Sequence, residues 1–377
     1  MIALARKTLR HEWRRFLPAV MAIAFAGTLL VVQAALVMGI FGSAAVYVTG
    51  SSANLWVGYP GTQSVNLGRS INRDVEMALR MNPEITAVES LVWLDADWRS
   101  SGGGGGVSVY VTGINPAANG MMFDRVLPPA LRQLLMQPMS VIVDRADLDQ
   151  LGVQLGDPAW IDGRQVRVVA AVSGLRALGG VNVLTSLDSA AALNSNRRDA
   201  GRVTYLLAGL KDAAQADAVS RQVSGLRGFG PYEVWTADAF AARSQWFWMF
   251  DTGAGIAVIF MACIVLLVGV VISSQALMAV VISSASEYAT LNALGAGISA
   301  LRRVVLEQAA WVGGIGLVLG GALSTVLLAV AQTRSVPVDM SLMIALVCAL
   351  LVMSLALFSG LFAMRGLLRA DPALLLR

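Results

Sequence analysis

Apolar and polar positions follow two different patterns along this chain. Four stretches are apolar and uncharged: Phe16 to about Gly42, Thr252 to Ser286, Gln308 to Thr333 and Met340 to Met364. Each exceeds the roughly 20 residues that cross a hydrocarbon core of about 30 Å. They predict four transmembrane helices at 16–42, 252–282, 306–333 and 340–364. Between the first and second, 43–250 alternates short apolar and polar runs in the manner of a folded domain outside the bilayer.

Within that segment, "ANLWVG" (53–58) predicts a strand and "SINRDVEMALRMNP" (70–83) a helix ending at Pro83. "ITAVESLVWLDADW" (85–98) and "VSVYVTGI" (107–114) predict strands, joined through the glycine run 102–106 as a hairpin tip. After an interruption come a strand in "VTYLLAGL" (203–210), a helix at 212–226 with Asp212 as N-cap, and a strand in "YEVWTA" (232–237). The order implies one mixed sheet built from 43–118 and 199–245. The interruption, 119–198, carries Pro and Gly punctuation and the strands "SVIVD" (140–144), "PAWIDG" (158–163) and "QVRVVAAV" (165–172). It predicts a β-rich subdomain inserted into the first. The run 236–250 predicts a helix continuing into the second span, with Trp246, Phe247, Trp248 and Phe250 at the outer interface, where aromatic belts form. The fold class is thus membrane α-helical, four transmembrane helices, with a large α+β extracytoplasmic domain.

Composition sharpens this picture. Hydrophobic residues make up 56% of the 377 and charged residues only 14%, with a mean hydropathy of +0.66. The formal net charge of +4 is local. Arg6, Lys7, Arg10, Arg14 and Arg15 precede the first span against Glu12, and Arg365, Arg369 and Arg377 follow the fourth against Asp371. The segment 43–250 holds 17 basic and 18 acidic residues and is nearly neutral. Positive charge beside membrane ends favours the cytoplasm. Both termini, including the tail 365–377, are expected inside and 43–250 outside. Basic charge that hugs a bilayer gives no reason to expect nucleic acid as a partner. Ile2, Ala5, Leu9, Trp13 and Phe16 fall at helical spacing, so 1–15 predicts an amphipathic cytoplasmic helix leading into the first span. The first apolar run is longer than the h-region of a secretory signal and is read as a span.

Candidate chemistry is sparse. There is no G-x-x-x-x-G-K-[ST] loop, and the single histidine, His11, stands among arginines. A His-rich zinc site and a Ser-His-Asp triad are not expected outside the membrane. Asp95 and Asp97 share one face of a strand and are read as a solvated edge. Cys263 and Cys348 both lie in apolar runs and predict no disulfide framework. No charge stands in the middle of a span, which disfavours a proton path or charged filter. The expectation is a non-catalytic chain with no cofactor or metal of its own. In the third span, "GGIGLVLGG" (313–321) places Gly313, Gly316 and Gly320 for close helix packing, within the chain or between copies.

One stretch between the second and third spans carries more information. "SEYATLNALGAGISALRRVVLEQA", beginning at Ser286, resembles the segment after the second transmembrane helix of MacB/FtsX-like permeases, membrane subunits of ATP-binding-cassette systems. Glu287 matches the family's acid, Leu291 an apolar anchor, Ala293 to Ala296 its A-L-G-A ending, and Glu307 a later acid. Ser286, Tyr288 and Ala289 depart from the usual Arg, Ile and Gly. The closing "RADPALLLR" resembles the family's terminal element through Asp371, Pro372 and Arg377. One span, a large outer domain and three clustered spans follow the family's order. On that resemblance 43–118 with 199–245 is porter-like, 119–198 is sabre-like, and 139–186 looks most like the DevC branch.

The resemblance implies a permease subunit of an exporter that couples hydrolysis by a separate ABC ATPase, which holds ATP and Mg, to outer conformational change by mechanotransmission. It implies a homodimer, a periplasmic adaptor and an outer-membrane channel in the bacterial inner membrane. Cargo would be a lipid, lipoprotein, peptide or amphiphilic compound. The alternative is an FtsX-like regulator that activates an extracytoplasmic hydrolase. A coupling helix at 283–297 would dock the ATPase through Glu287, Tyr288, Leu291, Leu294, Gly295 and Ala296, with Ala285, Tyr288, Leu291 and Leu294 on one stripe.

Overall fold

The structure is a computed structural model that describes residues 13–102, 106–194, 201–224, 228–283, 298–333 and 336–369. Helix α1 (Trp13–Gly42) is followed by strands β1 (Leu55–Gly58) and β2 (Ile71–Asn72), helix α2 (Val75–Arg80) and strands β3 (Ile85–Ser100) and β4 (Val107–Ile114). Then come α3 (Pro129–Leu134), β5 (Ser140–Asp144), β6 (Pro158–Ile161), β7 (Arg164–Val172), β8 (Val181–Ser186), α4 (Leu187–Leu193), β9 (Arg202–Val203) and β10 (Tyr205–Leu210). The chain closes with α5 (Ala216–Ser224), β11 (Glu233–Thr236), α6 (Ala237–Trp246), α7 (Ala254–Ser283), α8 (Ile298–Thr333) and α9 (Leu342–Arg369). It divides into two compact units, Ile40–Ala254 and Met1–Gly39 with Gly255–Arg377.

The unit Ile40–Ala254 is organised by β3. Its first half, Ile85 to Leu91, pairs antiparallel with β10, which continues through β1 to the edge strand β11. Its second half pairs with β4, and Trp98 to Ser100 pair with β6. The order β3-β4-β8-β5-β7-β6 therefore returns to β3 and closes a six-stranded barrel, with β4–β8 and β5–β7 parallel. Alternation along β3 fills it: Ala96 and Trp98 point in among Val109, Val111, Val141 and Val168, while Asp95 and Asp97 are exposed. Trp98 is fully buried, and its indole N–H donates to the Leu151 carbonyl at 3.1 Å.

Two further clusters complete this unit. Val75 and Leu79 of α2 and Val219 and Val223 of α5 pack with Leu55, Val57, Leu206 and Ala208 of the open sheet. The other cluster joins Trp56, Tyr205, Trp235 and Phe240 to Trp93, Ile142, Val172 and Leu184, so open sheet and barrel share a core. A separate inserted subdomain at 119–198 is thus not how the strands divide. The barrel takes β3 and β4 from outside that range, because one 16-residue strand serves both halves.

Local departures from the sequence pattern have identifiable causes. The expected helix 70–83 is shorter, because Ile71 and Asn72 pair with Val203 and Arg202, and Asn72 and Asp74 form a local turn. Asp212 does cap, accepting from Ala214 N–H, and a 3-10 turn leads into α5. Helix α6 does not run into α7. A five-residue π-helical turn, Phe247–Asp251, follows it, and Gly253 stands at φ +77°, a left-handed position that ends a helix readily only at glycine.

The other unit holds α7, α8 and α9 with α1 up to Gly39. Four segments are long and apolar enough to cross a membrane: Trp13–Thr49, Ala254–Ala276, Arg303–Thr333 and Leu342–Leu361. Helix α8 begins at Ile298 and so extends beyond the predicted span at 306–333. Phe16, Ile23, Val305, Val312, Val352 and Ala356 form the centre of this bundle.

Candidate functional site

The helices around the expected coupling segment set its frame. Helix α7 ends at Ser283 and α8 begins at Ile298. Glu287, Tyr288, Leu291, Leu294, Gly295 and Ala296 lie between them, outside the described residues, as do Asp371, Pro372 and Arg377. The later acid, Glu307, is half-buried in the first turns of α8 beside the buried Gln308. Most of the amphipathic segment 1–15 also lies outside the described residues. Phe16 is buried at the foot of the bundle, whereas Trp13 is exposed.

Glycine sets the close contacts of the bundle. A Cβ on Gly316 would stand 2.9 Å from Ile23 Cγ2 and 3.2 Å from the Val20 carbonyl. On Gly320 it would stand 2.7 Å from the Ala24 carbonyl. Any side chain there must push α1 and α8 apart. Thr28 uses this approach: its hydroxyl donates to the Ala24 carbonyl at 2.8 Å and lies 3.3 Å from that of Gly320. Gly313 serves a different neighbour, Ala356 of α9, at 2.8 Å from a built Cβ, and Gly360 meets Ala309 in the same way. The three glycines therefore sit at α1–α8 and α8–α9 contacts inside one chain. Helix α7 is held through Gly269, close to Ala26 and Leu355, and by Gln33, whose amide donates to the Val258 carbonyl at 3.2 Å.

The unit Ile40–Ala254 places its charged residues structurally. Asp95 and Asp97 face away from the barrel interior, and Asp162 accepts from the Asp97 N–H at 2.9 Å. Partial burial raises the Asp95 carboxyl above its ordinary range. The glycine run joins β3 to β4 as a hairpin, with 103–105 outside the described residues. Among the described residues no group of His, Cys, Asp and Glu could hold a metal ion. Cys263 is exposed and Cys348 buried, and both are free thiols.

Two buried polar groupings escaped the sequence reading. Arg132 on α3 is almost wholly buried and donates to the carbonyls of Asn115 and Met122. Near it Glu89 of β3 accepts from Asn115 Nδ2 at 3.1 Å and Met121 N–H at 2.8 Å. Burial raises the Glu89 carboxyl, and those donors and the Arg132 charge oppose the rise. In the second grouping, Asp144 accepts from the N–H groups of Ala146, Gly174 and Leu175. The buried Asp147 pairs with Arg176 at 3.1 Å. Burial raises the Asp147 carboxyl despite Arg176, and Asp144 adds to the rise. Glu89 meets Asn115, Met121 and Arg132 from 26 to 43 positions away, and Asp144 and Asp147 meet Gly174, Leu175 and Arg176 from 29 to 31 away, separations that local patterning cannot read.

Known proteins resemble parts of this arrangement. Residues 259–372, which run from within α7 past the end of α9, match the family described as FtsX-like permease C-terminal. Among solved structures, the extracellular domain of the noncanonic ABC-type transporter YknZ from Gram-positive bacteria aligns at 12% identity and a TM-score of 0.35, over 49% of this chain and 100% of that one. The periplasmic region of MacB from Actinobacillus actinomycetemcomitans aligns at 12% identity and a TM-score of 0.35, over 52% of this chain and 94% of that one. No curated protein matches the chain. Most of α7 and all of α8 and α9 thus lie in the stretch that is similar to the FtsX-like permease C-terminal family.

Proposed function

We propose that this chain is the permease subunit of an ATP-binding-cassette exporter in the bacterial cytoplasmic membrane, working as a homodimer. The observation that carries this reading is the FtsX-like match over 259–372, placed on three of four membrane-length helices with a large folded unit between the first and the second. Both termini face the cytoplasm and the unit Ile40–Ala254 lies outside. A separate ABC ATPase binds ATP and Mg and docks on 283–297 through Glu287, Tyr288, Leu291, Leu294, Gly295 and Ala296. This chain supplies no catalytic group and no cofactor. Closure of the ATPase pair moves the helices, and the outer unit passes that motion to cargo by mechanotransmission.

The spans favour transmitted motion over a polar path. Their described polar side chains bond mainly to nearby carbonyls, as Thr28, Ser274 and Ser324 do. Cargo of this kind is a lipid, lipoprotein, peptide or amphiphile, handed to a periplasmic adaptor and an outer-membrane channel. The outer unit is then porter-like with a sabre-like barrel, as in the DevC branch.

The test is affinity purification from native membranes in mild detergent, wild type beside a Leu291→Asp, Leu294→Asp variant. An ATPase retained by wild type and lost by the folded variant supports docking at 283–297. A co-purified adaptor identifies the exporter, and a peptidoglycan hydrolase in its place identifies an FtsX-like regulator. Absence of any ATPase from folded, dimeric wild type overturns the reading.

A further inference from the structure

Helices α1, α8 and α9 pack tightly along only part of their length. Gly316 and Gly320 bring α8 against α1, and Gly313 brings it against α9. One residue past Gly320 the packing opens, and a Cβ on Gly321 would meet nothing within 4 Å. A cavity of about 260 Å³ lies there between the three helices, walled by Gly27 and Val31 of α1, Gly321 and Leu328 of α8, and Ala349 and Val352 of α9. Small residues make it, since Gly27, Gly321 and Ala349 project little or nothing into the space. Gly321 and Thr325 on its rim are exposed, so it opens sideways as a groove.

The wall has little to offer water. Its hydroxyls are already spent: Ser324 donates to the Gly320 carbonyl and Thr325 to the Ala322 carbonyl, both at 2.7 Å. An apolar cavity of only about 150 Å³ stays dry and takes up an apolar guest. Left empty, the groove would forfeit the dispersion contacts of every atom that lines it. Position and length name the guest. The α8 lining runs from Leu317 to Leu328, about 16 Å along the axis, close to a hydrocarbon half-thickness of about 15 Å. Leu317 stands near the middle of the membrane-length segment Arg303–Thr333, and the α9 lining runs from Ala345, near the start of Leu342–Leu361, to Val352 near its middle. The groove therefore occupies one leaflet, the one on the side of Thr333 and Leu342.

We propose that this groove seats one acyl chain of a phospholipid from that leaflet, held as a resident part of the bundle and not carried as cargo. The inference goes beyond the proposed function and depends on the spans alone, whether or not an ATPase docks. The tail supplies the packing that small residues leave undone where α1, α8 and α9 diverge. No charged residue lines the groove, so the tail is recognised and the headgroup is not.

The test takes the full chain from native membranes in mild detergent, washes it free of loose lipid and weighs it by native mass spectrometry. Gly321→Phe fills the groove. Gly314→Phe is the control, another α8 glycine with nothing within 4 Å of its Cβ and no place in the groove. The expected result is one phospholipid retained per chain by wild type and by Gly314→Phe, and lost from Gly321→Phe. A second arm needs only wild type, so it decides even if circular dichroism shows a variant unfolded. The chain is reconstituted with phosphatidylethanolamine carrying a diazirine at the end of one acyl chain, extracted, washed and irradiated. Adducts are expected at Gly321, Thr325 and Ala349 and not at the exposed Ile259 and Phe260 of α7. No retained lipid, equal retention by Gly321→Phe, equal loss from both variants, or adducts as frequent on α7 overturns the assignment. So does a retained amphiphile other than a phospholipid, which would mark the groove as a cargo site. None of these outcomes bears on ATPase docking, which the pull-down of Leu291→Asp, Leu294→Asp tests separately.

Discussion

The two units solve the packing problem with opposite residue choices. The outer unit is held by large side chains: Trp56, Trp98, Tyr205, Phe123 and Phe240 are fully buried. The membrane-length helices close instead on absence, with Gly313, Gly316, Gly320 and Gly360 where neighbouring helices come nearest. The difference follows from the surroundings. Water drives large apolar surfaces together in the outer unit. Lipid tails give no such drive, so helices gain cohesion only by approaching closely and bonding polar groups across the contact. Added size is therefore destabilising at these glycine contacts, whereas large side chains fill the core of the other unit.

Four substitutions sharpen or break that contrast. Trp98→Ala removes the largest plug of the barrel and the bond to Leu151, and should cost about 3–5 kcal/mol. Urea unfolding followed by near-UV circular dichroism would measure it, and a loss below about 1 kcal/mol would mean that the barrel is not the outer unit's core. The reciprocal change, Gly320→Leu, meets the Ala24 carbonyl and should cost about 3 kcal/mol, seen as a lower melting temperature in detergent with the outer unit's spectrum unchanged. A variant as stable as wild type would show that α1 and α8 need not touch there.

Arg132→Met strands two carbonyls and removes the charge facing Glu89, for a loss of about 2 kcal/mol in the same urea experiment. The smallest effect concerns pH. Burial raises the Asp147 carboxyl in the folded chain, so the folded state binds that proton more readily than the unfolded one. The cost of the buried charge is fully present above the raised value and is relieved as pH falls through it. Wild type should therefore gain stability relative to Asp147→Asn as pH is lowered from neutral towards the ordinary carboxyl range. Parallel profiles of urea midpoint against pH would show that Asp147 is not responsible.

Legibility in the sequence followed the range of the interactions involved. The four apolar runs are local facts of composition, and all four appear as helices. Alternation made β3 and β7 readable, because each half-buried strand carries its own period. Strand β8 was missed: it is buried on both faces, so Val181 to Ser186 show no alternation. Barrel closure was also hidden, since it depends on Trp98 meeting Ile161. The break after α6 turns on one glycine in a run that otherwise reads as helix. As for the candidate site, Gly313, Gly316 and Gly320 were visible as small residues at helical spacing. Which neighbour each one serves was not, because that depends on the helix opposite.

The sharing of β3 bears on the order in which the outer unit can assemble as the chain emerges. Every strand of the barrel lies between Ile85 and Ser186, so closure needs nothing beyond that stretch. The open sheet is different. Leu55 of β1 waits for Ala208 on one side and Thr236 on the other. Loop closure over such distances is slow, and strands left unpaired meanwhile are open to wrong partners. The first half of β3 is spared much of that exposure, because its second half can already be locked into the barrel. A barrel closed first would hold out an edge, at Ile85 to Leu91, on which the last-made strands find their register.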